Sequence, residues 1–325
     1  MRQCLRLLRL GSVVFFAIGL AACGEDPPPP GGNPDAAPPD PDSGVVDPPP
    51  PATGFQVVTP EHTLAPGEES TWCYYTHLPN PAEVGVKRWE STMTPGSHHL
   101  IVYTTRQPLH PDGTLTQDCG GAGVGGGLDA PIWTYASQES HQEQVMPDGI
   151  GMTVAAGQPA FIQMHYLNAT DEELKVHVTL NAHTYGAGEE YVKAAAYVTY
   201  NTQIRVPRDQ AASAEGSCAV PPDARFFAVS THAHRFSTHT EVRDGGSMVF
   251  QSSDWEHPGQ KTWGADPFFR FSSGKLTYHC DYFQSEYDLV VEGPSAQTNE
   301  MCMAVGYFFP ADGPKFCVDS TLLPR

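Results

Sequence analysis

From Phe55 onward the chain is a succession of short β-type runs: "HHLIVYTT", "PAFIQMHYL", "KVHVTLNAHTY", "AAAYVTYNTQIRV", "RFFAVSTHAH", "KLTYHCDYF", "YDLVVEG" and "CMAVGYFF". Pro, Gly, Asn and Asp clusters separate them. β-branched and aromatic side chains fit a pleated, half-buried surface, and turn residues at short intervals stop each run early. No long helical pattern competes. The spacing predicts an all-β fold of antiparallel sandwiches or jelly rolls. About 270 residues suit one large domain or two of ordinary size.

The N-terminal 54 residues belong to no such fold. Arg2, Arg6 and Arg9 precede the apolar run "GSVVFFAIGL", which ends in "LAAC". This is similar to a bacterial lipoprotein signal, in which residues 1–22 are removed and Cys23 is lipidated. The apolar run is too short for a comfortable membrane span, and no later segment offers one. The expected location is outside the cytoplasm, held to a bacterial membrane by lipid alone. Residues 23–54 follow as a tether: proline fills 12 of the 25 positions from Pro27 to Pro51, which gives a semi-extended spacer without a core. Removing three arginines takes the formal charge from −19 to −22. An acidic body argues against nucleic acid and against electrostatic docking on anionic lipid.

Six cysteines remain after Cys4 and Cys23 are set aside: Cys73, Cys119, Cys218, Cys280, Cys302 and Cys317. An even number behind an export signal predicts three disulfides. None forms a CxxC pair, so a zinc ribbon is not expected. If each half closes its own bridges, Cys73 pairs with Cys119 and three pairings stay open for the other four. "GGAGVGGG" at Gly120 is a flexible loop without the Lys-Ser/Thr of a phosphate cradle.

"STHAHRFSTHTEV" places His232 and His234 two residues apart in a strand-like run. Side chains at i and i+2 share a strand face, so both imidazoles can reach one metal. His98 and His99 are adjacent, and neighbours on a regular strand point to opposite faces. They can share a metal only at a strand end or an irregularity, which Pro95-Gly96 just upstream would allow. His165 lies in "FIQMHYLN". Met301 and Met303 flank Cys302 on one face of the last long run. A thioether is a poor ligand for zinc, magnesium or calcium, whereas imidazole with thioether suits copper, above all Cu(I). The remaining histidines read as packing or surface residues: His177, His183 and His239 on strands, His110, His141 and His257 in loops. His279, beside Cys280, fits no ligand position. "NAT" at Asn168 matches a glycosylation sequon without carrying weight in a bacterial-type lipoprotein.

In chain order, "HHLIVY", "MPDGIGMTV", "QMHY", "HAH" after a "PP", and "EMC" before an aromatic-rich strand resemble the type II copper, ascorbate-dependent monooxygenases. This is the family of peptidylglycine α-hydroxylating monooxygenase and dopamine β-monooxygenase. The resemblance spans about Phe55 to Cys317. It implies two tandem antiparallel jelly-roll sandwiches, residues 55–190 and 191–325, facing across a solvent-filled cleft. It implies two coppers per chain: His98, His99 and His165 for electron transfer, and His232, His234 and Met301 for dioxygen and substrate. The "EMC" context selects Met301 over Met303. Electrons from ascorbate or a similar donor would cross the cleft, and a substrate C–H bond would be hydroxylated. The same resemblance suggests Cys280–Cys302 and Cys218–Cys317.

The pattern breaks where peptidylglycine-type enzymes clamp a peptide carboxylate. The Arg, Asn and Tyr of that clamp correspond to Ser230, Met303 and Val305 here. Without the guanidinium fork, bidentate carboxylate recognition is lost. Peptide amidation is therefore not expected, and no substrate is named, small molecule or peptide. The aromatic pairs Phe226-Phe227, Phe268-Phe269 and Phe308-Phe309 are read as core. The alternative function is an exported copper-binding or copper-handling lipoprotein without catalysis.

Overall fold

The strand Lys275–Tyr282 buries Leu276, Tyr278, Cys280 and Tyr282 and turns Lys275, Thr277, His279 and Asp281 outward. That period-2 alternation is what an antiparallel strand with one face on a core requires, and it explains how this sequence forms sheets. A computed structural model describes residues 47–119 and 131–323. The leader, Cys23, most of the tether and the Gly-rich loop lie outside the described residues. Among the described residues there is no helix, as the absence of a 3.6-residue period predicts, and none long and apolar enough to cross a membrane.

Two sheets carry the first half. One runs in the order Gly54–Val58, Val178–Thr184, Val84–Met93, Ile150–Val154 and Val192–Lys193, with His141–Val145 also paired to Val84–Met93. The other runs Leu115–Thr116, Glu69–His77, Pro159–Leu167, Ser97–Thr104, Ile132–Ser137. Trp89 from the first sheet stacks on Tyr135 from the second at 5.9 Å, and the Tyr135 hydroxyl meets Ser91 Oγ at 2.9 Å. The aromatic ring is thus buried with its polar tip satisfied.

The second half repeats the plan. A six-stranded sheet runs Lys261–Thr262, Arg225–Ala233, Cys302–Phe309, Ala195–Tyr200, Lys315–Val318, Thr321–Leu322. A four-stranded sheet runs Ala212–Ala219, Lys275–Tyr282, Ser237–Asp244, Ser247–Ser252. Disulfides Cys218–Cys317 and Cys280–Cys302 each join a strand of one of these sheets to a strand of the other, and Cys73–Cys119 closes the third bridge. All three expected pairings are present.

Among the described residues no sheet mixes strands from before Ala194 with strands from after it. The halves are nevertheless packed into one body. Phe227, Met303, Tyr307 and Phe309 from the second half join the apolar core that holds Tyr103, Trp133 and Phe161 from the first. Phe226, Phe227, Phe308 and Phe309 are buried, as expected of core residues. The body also begins earlier than residue 55. Asp47 accepts hydrogen bonds from His177 and Thr179, and the carbonyls of Pro48 and Pro49 accept from Gln56 and Asn181. The end of the tether is therefore docked on the strand Val178–Thr184, a correction to the boundary at 54. The proline run hid it: proline offers no N–H, but its carbonyls remain acceptors.

Candidate metal centre

His98 and His99 share one site because their strand is irregular. His165 pairs with His99 and Tyr166 pairs with Ser97, which leaves His98 as an extra residue in a β-bulge. The turn before it uses Gly96 at φ +88°, where a Cβ would lie 2.9 Å from Leu174 Cδ1. Both conditions favour glycine. The bulge swings His98 to the face of His99, and their Nδ1 atoms lie 3.0 Å apart. His165 completes the set, with ring centroids 5.2 Å from His98 and 4.9 Å from His99. One nitrogen from each of the three lies within 4.8 Å of the others, so the set can hold a metal ion.

His232 sits near the end of the strand Arg225–Ala233 and His234 just beyond it, with ring centroids 5.2 Å apart. Glu300, fully buried, fixes this corner. Its carboxylate accepts from the backbone N–H of His234 at 3.0 Å, of Phe236 at 2.7 Å and of Met301 at 3.2 Å. One carboxylate therefore ties the His-Ala-His turn to the residue before Cys302. Burial drives its pKa up to about 7 against the pull of those N–H groups.

The expectation that two ligand sets stand apart across a cleft needs correction. The His99 and His232 rings are 5.1 Å apart, and those of His98 and His232 are 6.4 Å apart. All five imidazoles converge on one locus. The shared apolar core beneath them draws the halves together, and no feature of the sequence reports that contact.

Three histidines donate one ring N–H to a fixed acceptor. His165 Nε2 donates to Glu69 Oε1 at 2.9 Å. His234 Nδ1 donates to the carbonyl of Asn299 at 3.2 Å. His232 Nδ1 donates to Gln138 Oε1, whose amide donates in turn to the carbonyl of Thr231 at 3.3 Å. Such acceptors fix the tautomer and leave the other nitrogen bare, as metal-ligating histidines require. His98 Nε2, His165 Nδ1 and His234 Nε2 are buried without any hydrogen-bond partner. Burial, reinforced by neighbouring imidazoles, brings His98 down to about 3 and His234 to about 4, and holds His99 and His232 well below the ordinary range. These rings are neutral at physiological pH. For Glu69 burial acts upward, but bonds from His165, Ser295 and Ala296 outweigh it and bring the carboxyl to about 2.

A cavity of about 760 Å³ opens beside the imidazoles. His99, His165, His232, Met301 and Met303 line it, with Tyr103, Trp133 and Tyr307 as aromatic wall. Met303 is the cross-strand partner of His232. Ser230 and Val305, directly paired, also line it. Among the described residues the lining includes Glu139 and Glu292 but no Lys or Arg.

Sequence reasoning passed over Glu69, Gln138, Glu300 and Trp255. The Trp255 ring lies 5.3 Å from that of His98. None of the four is near its histidine partner in the chain, so no spacing rule ties them to the site, although Glu300 lies beside Met301. The set-aside histidines have other partners. His279 pairs with Asp281 and Glu215, His257 with Glu139, His177 with Asp47 and His239 with Glu241. His141 shares an outer face with Glu90 and Glu143 within metal-ligand distance. There Arg88 pairs with Glu143 and His183 Nε2 lies 2.9 Å from Glu90, so both carboxylates already have partners.

No family model and no curated protein matches the chain. Among solved structures it is similar to the major capsid protein P2 of bacteriophage PM2, with 8% identity, 80% of this chain and 100% of that one covered, and a TM-score of 0.30. It is also similar to PNGase F, a glycosylasparaginase from Flavobacterium meningosepticum, with 10% identity, 82% and 98% coverage, and a TM-score of 0.35. At such scores neither likeness bears on function.

Proposed function

We propose that the protein is an exported copper-dependent monooxygenase that hydroxylates a C–H bond of a substrate held in the cavity. The observation that carries this reading is the convergence of five buried imidazoles, three of them with an unpartnered nitrogen, beside that cavity. His98, His99 and His165 would hold one copper, and His232, His234 and Met301 the other. Soft thioether and neutral imidazole donors suit copper better than zinc. When bound, copper would supply the one-electron chemistry that couples dioxygen and a reductant such as ascorbate to the substrate. The chain's own residues do the rest. Glu69, Asn299 and Gln138 orient the rings, and the aromatic wall receives the apolar part of a substrate.

The three positions of the resembling clamp, Ser230, Met303 and Val305, all line the cavity and carry no charge. This supports a substrate without a carboxylate anchor. The test is copper stoichiometry together with ascorbate-dependent oxygen uptake across a substrate screen. Two coppers per chain with substrate-dependent uptake support the reading. Two coppers with no uptake on any substrate favour the copper-handling alternative.

A further inference from the structure

Glu69 belongs to neither ligand set, yet its carboxylate reaches toward both. Oε1 accepts from His165 Nε2 at 2.9 Å and from the backbone N–H of Ala296 at 2.8 Å. Oε2 accepts from Ser295 Oγ at 2.9 Å. His165 is in the first half, and Ser295 and Ala296 are in the second. The bonds continue: Asn299 N–H donates to the Ser295 carbonyl at 2.9 Å, and the Asn299 carbonyl accepts from His234 Nδ1 at 3.2 Å. An unbroken path thus runs from a ring of the three-His set, through Glu69 and the segment 295–299, to a ring of the other set. Ala296 is buried at 1% exposure, so this segment is seated in the body.

We propose that Glu69 is a positioning residue shared by both ligand sets, and that metal binding at the two sets is therefore coupled. This rests on the copper reading above. A metal on bare Nδ1 of His165 fixes that ring, which fixes the Glu69 carboxylate and the segment it seats. The second set then loses less conformational freedom when it binds, which is positive cooperativity without a change of shape. By linkage the effect is reciprocal.

The test is anaerobic Cu(I) titration of full-length metal-free protein against a chromophoric chelator, with thioether ligation read as sulfur scattering in X-ray absorption. Wild type should take two coppers cooperatively, with nitrogen and sulfur shells filling together. Glu69→Gln should weaken both sets by about 10–100-fold, the usual cost of losing an outer-shell partner. Ser295→Ala should weaken the sulfur-containing set while the three-His set keeps its affinity once uncoupled. If Glu69→Gln does not fold, Ser295→Ala, which removes one hydroxyl, carries the test alone. Glu69→Gln weakening only the three-His set, or Ser295→Ala leaving the sulfur shell unchanged, overturns the proposal. Independent loading of two coppers by wild type overturns the coupling and leaves the copper reading standing. Wild type that takes up no copper overturns both.

Discussion

His99 and His232, drawn from opposite halves of the chain, meet edge to face with ring centroids 5.1 Å apart and planes at 81°. Two metal ions held by the sets these rings belong to would be neighbours. With both sets loaded as Cu(II), the electron paramagnetic resonance spectrum should show strong spin–spin broadening or lost intensity. His232→Ala should return it to a single isolated centre. Two sharp, non-interacting signals in fully loaded wild type would mean that the halves part in solution.

Met301 and Met303 compete for one role. Met303 is 4% exposed and belongs to the shared apolar core, whereas Met301 is more open, and its N–H and that of His234 share the Glu300 carboxylate. Met301→Leu should therefore abolish sulfur scattering in the reduced copper protein and leave three-His occupancy intact. Met303→Leu, nearly volume-conserving, should keep the sulfur signal and cost less than about 1.5 kcal/mol of stability. The reverse pattern of sulfur loss would reassign the ligand to Met303.

The sheets were legible because alternation is local: each strand carries its own inside and outside, as Lys275–Tyr282 does. A strand end or an irregularity near His98 was legible as a requirement, since adjacent imidazoles cannot otherwise share a face, and Pro95-Gly96 allowed either; that it is a bulge comes from the register alone. Glu69, Gln138 and Trp255 were not legible. Each acts on a histidine far away in sequence: Glu69 reaches His165 from the neighbouring strand of the same sheet, whereas Gln138 reaches His232 and Trp255 reaches His98 from the other half of the chain. Phe227, Tyr307 and Phe309 share one apolar core with Trp133 and Tyr103, and an aromatic in a strand reads the same whichever layer it packs against.

Acid should destabilise the metal-free protein. His98, His99, His232 and His234 have folded pKa values depressed below 6.5, to about 3 for His98 and about 4 for His234. Below pH 6.5 the unfolded chain binds protons at these rings that the native state refuses, so stability falls with pH. The slope is about 1.4 kcal/mol per pH unit per histidine. Glu300, raised to about 7 from 4.5, acts oppositely between those values because its native form holds the proton. It is one group against four. Glu69, at about 2, adds a further loss only as pH falls below its unfolded value near 4.5. Urea midpoints of metal-free protein should drop steeply from pH 7 to pH 5. A flat or rising profile would show that water reaches these rings.

A peptide ending in glycine should be a poor substrate, and Ser230→Arg alone should not rescue it. Among the described residues the cavity lining holds Glu139 and Glu292 and no Lys or Arg, so a carboxylate entering it would lose hydration without gaining a cationic partner. A new arginine at 230 would also face a local cost. Ser230 Oγ donates to the carbonyl of Gly259 at 2.6 Å, and losing that bond frees the segment that carries Pro258 and Gln260 along the cavity rim. Its cross-strand neighbour Val305 offers no hydrogen bond to steady a guanidinium. In an ascorbate-driven oxygen-uptake assay, neither wild type nor Ser230→Arg should respond to the glycine-terminated peptide, whereas neutral amphiphiles of similar size should raise uptake in wild type. Saturable, peptide-dependent uptake by wild type would show that an anion site exists in the cavity after all.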